Sequence, residues 1–232
     1  MTMKIKNKKI ISTAINASLE SKKLFILTLK SAKSGKRIPR EDRMTLEISS
    51  NLPKDLRDYN LPQYCITDNQ NKKRYIDLVQ FRSDSISFQC NEIEWGLEAK
   101  HYSPHQNISN LNHYIRNSIR GITSDIDKLT NCGIENKYLV ALQTEVKSVQ
   151  LNDNDINTVF QHFPFIRTYI GDTKQEITNN IVNVSQEDRI NNLKESLTEQ
   201  IDNDLIYDSA SKTITLKDSS INVRIHYFVL TT

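Results

Sequence analysis

The chain of 232 residues has the length of one well-buried domain, and its 37% hydrophobic and 25% charged residues are typical of a soluble globular protein. The formal net charge of +3 permits contact with nucleic acid without arguing for it. Three unevenly spaced cysteines argue against a disulfide framework or a zinc site, and no apolar run is long enough to span a membrane, so we expect a cytoplasmic protein with no membrane partner.

The N-terminal part of the chain, to about residue 60, is predicted to be helical. Its apolar residues predict a first helix over Ile10–Lys33, and their imperfect spacing allows a break near Ser21. A second helix begins at Pro39, with acids in its first turn. Its apolar face carries Met44, Ile48 and Leu52. The next stretch, Pro53–Lys73, is polar and rich in turn residues, and leads into the strands.

The stretch Arg74–Tyr102 is predicted to form two or three consecutive strands. Side chains alternate along a strand, so one face of the last strand carries Ile93, Trp95, Leu97 and Ala99. The other face carries Glu94, Gly96, Glu98 and Lys100, and we expect it to point away from the apolar core. Asp77 lies on the first strand, where an aspartate opposes β-propensity and requires a reason.

Two carboxylates and a lysine on neighbouring strands suit metal-assisted phosphodiester hydrolysis. Carboxylate oxygens bind hard divalent cations, and Mg²⁺ fits such a site. The cation polarises the phosphoryl oxygen and lowers the pKa of a bound water. A lysine beside it orients that water or stabilises the charge that develops on the phosphorus. Asp77, Glu98 and Lys100 are therefore the candidate catalytic residues.

Asp77 followed by Glu98-Ala99-Lys100 on a later strand resembles the signature of the PD-(D/E)XK nuclease superfamily, with Ile76 where that family often has proline. The resemblance implies an α/β (α+β mixed) fold, in which helices flank a central mixed sheet. It also implies that Asp77, Glu98 and the backbone carbonyl of Ala99 hold Mg²⁺, with Mn²⁺ as a substitute, and that Lys100 positions the attacking water.

The same resemblance implies a Mg²⁺-dependent endonuclease acting on double-stranded DNA, of the type II restriction kind. We expect a homodimer, because two-fold symmetry suits the cutting of both strands of a palindrome. A repair nuclease or a toxin would use the same residues, and a catalytically silent nucleic-acid-binding member is a further alternative. If the motif is accidental, the strand carries a solvated Glu–Lys pair of little energetic value.

Other Glu-x-Lys or Asp-x-Lys triplets begin at Glu20, Glu135, Glu145 and Asp172. Only Glu145 competes, because it ends an apolar run that looks like a strand. The segment before that run is helical, so its partner acid, Asp125 or Asp127, would have to come from a helix. Glu98 alone has both a strand of its own and an acid on an earlier strand, and we expect it to be the active member.

Several residues outside the motif are candidates for supporting roles. An additional acid is expected from an N-terminal helix, and the candidates are Glu20, Glu41 and Glu47. Phosphate contacts are expected from the basic loop around Lys36 and Arg37, and from the polar outer face of a long helix that carries Arg116, Arg120 and Lys128. Charge runs are equally often plain solvated surface.

The remaining elements complete a single domain. The long helix runs from Ile108 to Leu129 with apolar residues every three or four positions, and Tyr138–Thr144 is a strand buried on both faces. A helix over Asn152–His162, a strand over Phe165–Ile170, a helix capped by Ser185 and a closing hairpin around Asp218 follow. We divide the chain into a helical part of about residues 1–60, a catalytic core of about 70–175, and a C-terminal helix and hairpin of about 185–232.

Overall fold

The structure is a computed structural model that describes residues 3–30, 40–102, 111–183 and 186–231. Lys36 and Arg37, predicted to contact phosphates, lie outside these residues, as does the side chain of Glu41. Among the described residues no helix is long and apolar enough to cross a membrane.

A six-stranded mixed sheet forms the centre of the molecule, as predicted. Its strands are β1 (Asn60–Thr67), β2 (Lys73–Phe81), β3 (Ile93–Tyr102), β4 (Lys137–Gln150), β5 (Ile206–Leu216) and β6 (Ser219–Thr231). They are ordered β1-β2-β3-β4-β6-β5. Strands β3 and β4 are parallel and the other neighbours are antiparallel. The parallel pair requires a crossover, which the long helix between these strands provides.

Eight helices flank the sheet in the described part of the chain. The N-terminal helices are α1 (Met3–Glu20), α2 (Lys23–Leu29), α3 (Arg40–Ser50) and the short α4 (Lys54–Arg57). The others are α5 (Leu111–Asn131), α6 (Ile156–His162), α7 (Lys174–Asn183) and α8 (Gln186–Gln200). The predicted break near Ser21 is confirmed, since α1 ends at Glu20 and α2 begins at Lys23.

The two faces of the sheet have different covers. The first face packs on α1, α2 and α3, and contributes Leu78, Trp95, Leu97 and Ala99 to the main core. The second face packs on α5 and α8, where Ile122, Leu193 and Leu197 meet Leu139, Ala141 and Phe228. Each strand in the middle of the sheet is therefore buried on both sides, which explains the continuous apolar run in β4.

Three local predictions are wrong. The polar stretch before β2 contains the edge strand β1. This strand has few apolar residues, because an edge strand with one exposed face needs few of them. Its Pro62 is tolerated because one side of the strand lacks a partner. The segment Ile166–Ile170 forms a helical turn instead of a strand. Helix α6 begins at Ile156, four residues later than predicted.

Gly96 allows α5 and β3 to approach closely. It faces the second side of the sheet, where a Cβ atom would lie 2.7 Å from Cδ1 of Ile134 and 3.3 Å from Leu129. Leu129 is in the last turns of α5, and Ile134 follows the helix directly. A side chain at position 96 would therefore force the side chains of Ile134 and Leu129, or the end of the helix, to move.

We expect Gly96→Ala to lower the free energy of unfolding by about 1–2 kcal/mol, because overpacking a dense contact forces its neighbours to move. Ile134→Val removes the nearest atom, so the cost of Gly96→Ala should fall in that background. Urea denaturation of both single variants and the double variant measures this coupling. Strictly additive costs would show that the close contact does not limit residue 96.

Candidate active site

The register of β2 and β3 brings Asp77 and Glu98 together. Leu78 pairs with Leu97 across the two antiparallel strands, so the next step along the ladder places Asp77 opposite Glu98. The backbone N–H of Asp77 points to Oε1 of Glu98 at 3.4 Å. Since Leu78 and Leu97 belong to the core on the first face, both acids lie on the second face.

Hydrogen bonds fix the carboxylate of Asp77 between β1 and β3. The backbone N–H of Ala99 donates to Oδ2 at 2.8 Å, and the amide of Gln63 donates to Oδ1 at 3.0 Å. Gln63 has a positive φ of 54° and interrupts the pairing of β1 with β2 at this level. These contacts explain why a strand can carry an aspartate here, and they hold its carboxylate beside Glu98.

Glu98 is buried, contrary to the expectation that its face would point away from apolar packing. Its exposed fraction is 4%, because α5 covers this side of β3. Lys128 of α5 provides its counter-charge, with Nζ 2.7 Å from Oε1. Lys128 was predicted to contact DNA from the outer face of the helix. The outer-face placement is wrong, because its side chain turns toward the strand. Its contact with phosphate stays a prediction.

Lys100 makes a second ion pair with the same helix. Its Nζ lies 2.9 Å from Oδ2 of Asp125, which is three residues before Lys128 on α5. On β3 the acid Glu98 comes before the base Lys100, and on α5 the acid Asp125 comes before the base Lys128. Each residue of the strand pairs with the oppositely charged residue of the helix. We call Glu98, Lys100, Asp125 and Lys128 the four-charge cluster.

Burial raises the pKa of Glu98 to about 8, and repulsion from Asp77 adds to this effect. The charge and hydrogen bond of Lys128 oppose the rise, and Asp125 adds a smaller repulsion. When both neighbouring carboxylates are ionised, the positive charge beside them is therefore smaller than their combined negative charge. A divalent cation is one way to satisfy such a pair.

Asp77 and Glu98 fit Mg²⁺ in ligand type and number. Mg²⁺ is commonly bound through one or two carboxylates, with water and substrate phosphate as its other ligands. Within the described residues, no group of three or more His, Cys, Asp or Glu side chains is arranged for a metal, and Mg²⁺ at Asp77 and Glu98 stays a prediction. The position of the Ala99 carbonyl as a further ligand stays a prediction.

Two of the predicted N-terminal acids, Glu20 and Glu47, do not approach the pair. Glu20 is exposed at the end of α1, and Glu47 lies 3.8 Å from Lys23. Helices α1, α2 and α3 pack on the first face of the sheet, whereas the acid pair is on the second. The additional acid near Glu98 is instead Asp125, which comes from α5.

Arg116 and Arg120 line a groove of about 580 Å³ between α5 and α8. Glu195 and Glu199 of α8 line the same groove. The acids reduce the positive potential that the two arginines would present to a phosphate. A role for these arginines in DNA binding stays a prediction.

The competing triplet at Glu145 has a different environment. Glu145 accepts a hydrogen bond from Nε2 of His226 at 2.9 Å and lies 3.2 Å from Nζ of Lys147. Burial raises the pKa of Glu145, but the hydrogen bond and charge of His226 outweigh it, so the pKa is lowered. Nδ1 of His226 meets the hydroxyl of Tyr207 at 3.0 Å. Glu145 is therefore neutralised by basic groups and has no need of a metal.

The role of Asp125 was missed, although the sequence contains a signal for it. The row of α5 that faces the sheet includes Ser118, Ile122, Asp125 and Leu129, all of them buried. An acid within an apolar row needs a buried partner. Lys100 is that partner, and no pattern within the helix alone could identify it.

Comparison with protein-family models, with curated proteins and with solved structures finds no match for this chain. The side chains at the site are therefore the basis for proposing a function.

The raised pKa of Glu98 predicts a pH dependence of stability. In the folded protein Glu98 keeps its proton up to about pH 8, whereas the unfolded chain releases it near pH 4.5. The free energy of unfolding should therefore fall as pH rises between these values, by up to about 5 kcal/mol. Urea denaturation in EDTA at several pH values measures this slope.

Glu98→Gln should remove that contribution, so the difference in stability between parent and variant should change steadily from pH 5 to pH 8. Glu145→Gln is the matched control, because Glu145 is also buried but its pKa is lowered. Equal pH profiles for the parent and Glu98→Gln would contradict the raised pKa.

Proposed function

We propose that the chain is a Mg²⁺-dependent DNA endonuclease that hydrolyses phosphodiester bonds, with Asp77, Glu98 and Lys100 as its active site. The observation that carries the proposal is the strand register that sets Asp77 opposite Glu98 on one face, two residues from Lys100. Burying the carboxylate of Glu98 beside the partly buried Asp77 costs free energy. The same pair suits a hard divalent cation.

Asp77 and Glu98 would hold the cation, and Mn²⁺ is expected to replace Mg²⁺. When bound, the metal supplies a Lewis acid that polarises the phosphoryl oxygen and acidifies a water. The hydrogen bonds from Ala99 and Gln63 keep Asp77 in one orientation, so its carboxylate is preorganised.

Lys100 would orient the attacking water and stabilise the negative charge on the phosphoryl oxygens. Its ammonium lies on the same face as Glu98 and is partly exposed. Asp125 is a positioning residue, because its ion pair with Lys100 at 2.9 Å restricts the lysine side chain. The oxygen of the water would form a bond to phosphorus while the bond from phosphorus to the leaving oxygen breaks. The water would lose a proton to solvent, and the leaving oxygen would gain one.

Double-stranded DNA is the proposed substrate, and a homodimer of the type II restriction kind is the proposed assembly. The mixed sheet, with α5 and then the apolar strand β4 after the motif, supports this interpretation because the PD-(D/E)XK resemblance implies the same order. Lys36, Arg37, Arg116 and Arg120 remain the proposed phosphate contacts.

Glu98→Gln and Lys100→Met should each lower the cleavage rate by on the order of 10²-fold or more, since each removes a group that acts in the transition state. Long DNA incubated with Mg²⁺, and in parallel with EDTA, provides the assay. Discrete fragments formed only with Mg²⁺ indicate a sequence-specific endonuclease.

Glu145→Gln and Lys147→Met are matched controls, because they change a Glu-x-Lys triplet of the same type on the neighbouring strand. Both should cut DNA at the parental rate. Loss of cutting in these variants, with full activity in Glu98→Gln, would place the active site at Glu145.

Asp77→Asn should separate DNA binding from cutting. Removing its charge should abolish Mg²⁺-dependent cleavage while DNA binding in EDTA stays equal or becomes tighter, because Asp77 repels phosphate when no metal is present. Asparagine can still accept the Ala99 N–H, so we expect a loss of only about 1 kcal/mol in stability. Gel shift, melting temperature and cleavage are measured on one preparation, and parental cutting by a folded Asp77→Asn protein would refute the metal site.

A further inference from the structure

The ammonium of Lys128 lies where a cation bound to Glu98 would be expected. Its Nζ is 2.7 Å from Oε1 of Glu98, the same oxygen that the backbone N–H of Asp77 approaches. Glu98 is nearly inaccessible to water, whereas the Lys128 side chain is 23% exposed. The buried acid is fixed on a central strand, and the lysine reaches it from the last turn of α5.

We propose that Lys128 is a built-in counter-ion, which a divalent cation displaces from Glu98 and which then contacts the phosphate of the DNA substrate. The inference rests on the proposed function and adds a residue to the same site. It assigns Lys128 two successive roles. Before the cation arrives, Lys128 is the counter-ion of the ionised Glu98 carboxylate. After the cation has bound, Lys128 faces the phosphodiester.

Charge balance favours the exchange. Asp77 and Glu98 together carry two negative charges when ionised, and Lys128 supplies one positive charge. A divalent cation balances both carboxylates at once. Lys100 is not the residue displaced, because its ammonium already pairs with Asp125 at 2.9 Å.

The properties of lysine suit a counter-ion that can leave. An ammonium on a flexible four-carbon stem is a point charge without the fixed two-pronged geometry of a guanidinium, so the stem can swing away without moving the helix. Lys128 lies in the last turn of α5, where the helix dipole favours a positive charge. The released ammonium therefore keeps a favourable position at the margin of the site.

Mg²⁺ binding without DNA tests the displacement directly. The melting temperature of the metal-stripped protein is followed as MgCl₂ is added, and the apparent dissociation constant is obtained by fitting the stabilisation to RT ln(1 + [Mg²⁺]/Kd). Lys128→Gln should bind Mg²⁺ about tenfold more tightly than the parent, because no ammonium competes for Glu98. Lys128→Met, which keeps the apolar stem, is the second variant if Lys128→Gln does not fold.

Lys147→Gln is the matched control, because it removes a lysine paired with a buried glutamate on the neighbouring strand. Its Mg²⁺ affinity should equal that of the parent. Lys128→Arg should weaken Mg²⁺ binding, because a guanidinium binds a carboxylate with two hydrogen bonds. A purely structural ion pair would change the melting temperature without this ordered change in Mg²⁺ affinity.

The phosphate contact has a separate readout. In a Lys100→Met background, which blocks cutting, adding Lys128→Gln should leave the salt dependence of DNA binding unchanged in EDTA. With Mg²⁺ present it should reduce the slope by about one unit, because only the released ammonium reaches a phosphate. Equal slopes under both conditions would overturn this part of the proposal.

Unchanged or weaker Mg²⁺ binding by both Lys128→Gln and Lys128→Met would overturn the displacement. The proposed function would survive that result if the parent still cut DNA only with Mg²⁺. If neither the parent nor the Lys128 variants bind Mg²⁺ and the parent cuts no DNA, the counter-ion role and the proposed nuclease both fail.

Discussion

The contact between α5 and β3 depends on two ion pairs. In one the acid is on the strand, and in the other the acid is on the helix. Glu98 meets Lys128 and Lys100 meets Asp125, so a helix carrying the reverse order of charges would place like charges together. Buried ion pairs add little net stability, but the loss of one partner leaves an uncompensated charge. The four-charge cluster therefore fixes which turn of α5 faces which residue of β3, and Gly96 allows the close approach that this alignment needs.

The structural role of Asp77 does not exclude the chemical role proposed for it. Its hydrogen bond from the Ala99 N–H accounts for an aspartate within a strand, which is the alternative to a metal ligand. A carboxylate has several lone pairs, however, so accepting two hydrogen bonds does not prevent it from binding a cation. The bonds restrict its rotation, and a site that binds a metal tightly needs ligands restricted in this way.

The sequence predicted the faces of β3 well, because alternation depends only on local geometry. Trp95, Leu97 and Ala99 are in the core, and Glu98 and Lys100 are on the opposite face, as expected. Alternation does not reveal what covers a face. The burial of Glu98 follows from the packing of α5 over β3, which is a tertiary arrangement. The orientation of Lys128 was missed for the same reason.

The mixed sheet and the buried strand β4 were predictable because a short, continuous apolar run bounded by polar residues is typical of a strand covered on both faces. Strand β1 was not, since an edge strand alternates weakly and its Pro62 argues against a strand when neighbours are unknown. Ile166–Ile170 shows the reverse error: a short apolar run fits a strand or a helical turn equally well. In both cases the outcome was decided by contacts distant in sequence.

Two triplets of the same Glu-x-Lys type, Glu98-Ala99-Lys100 and Glu145-Val146-Lys147, lie on adjacent strands, yet they have opposite electrostatics. Glu98 has a second acid, Asp77, across the ladder, and its pKa is raised. Glu145 has His226 beside it, and its pKa is lowered. A carboxylate whose charge is already stabilised by an imidazole and an ammonium gains little from a metal. Glu98 has one ammonium beside it and a second acid across the ladder, so a cation has more negative charge to balance there. The identity of the residue across the strand pair, more than the motif itself, therefore favours Glu98 as the metal ligand.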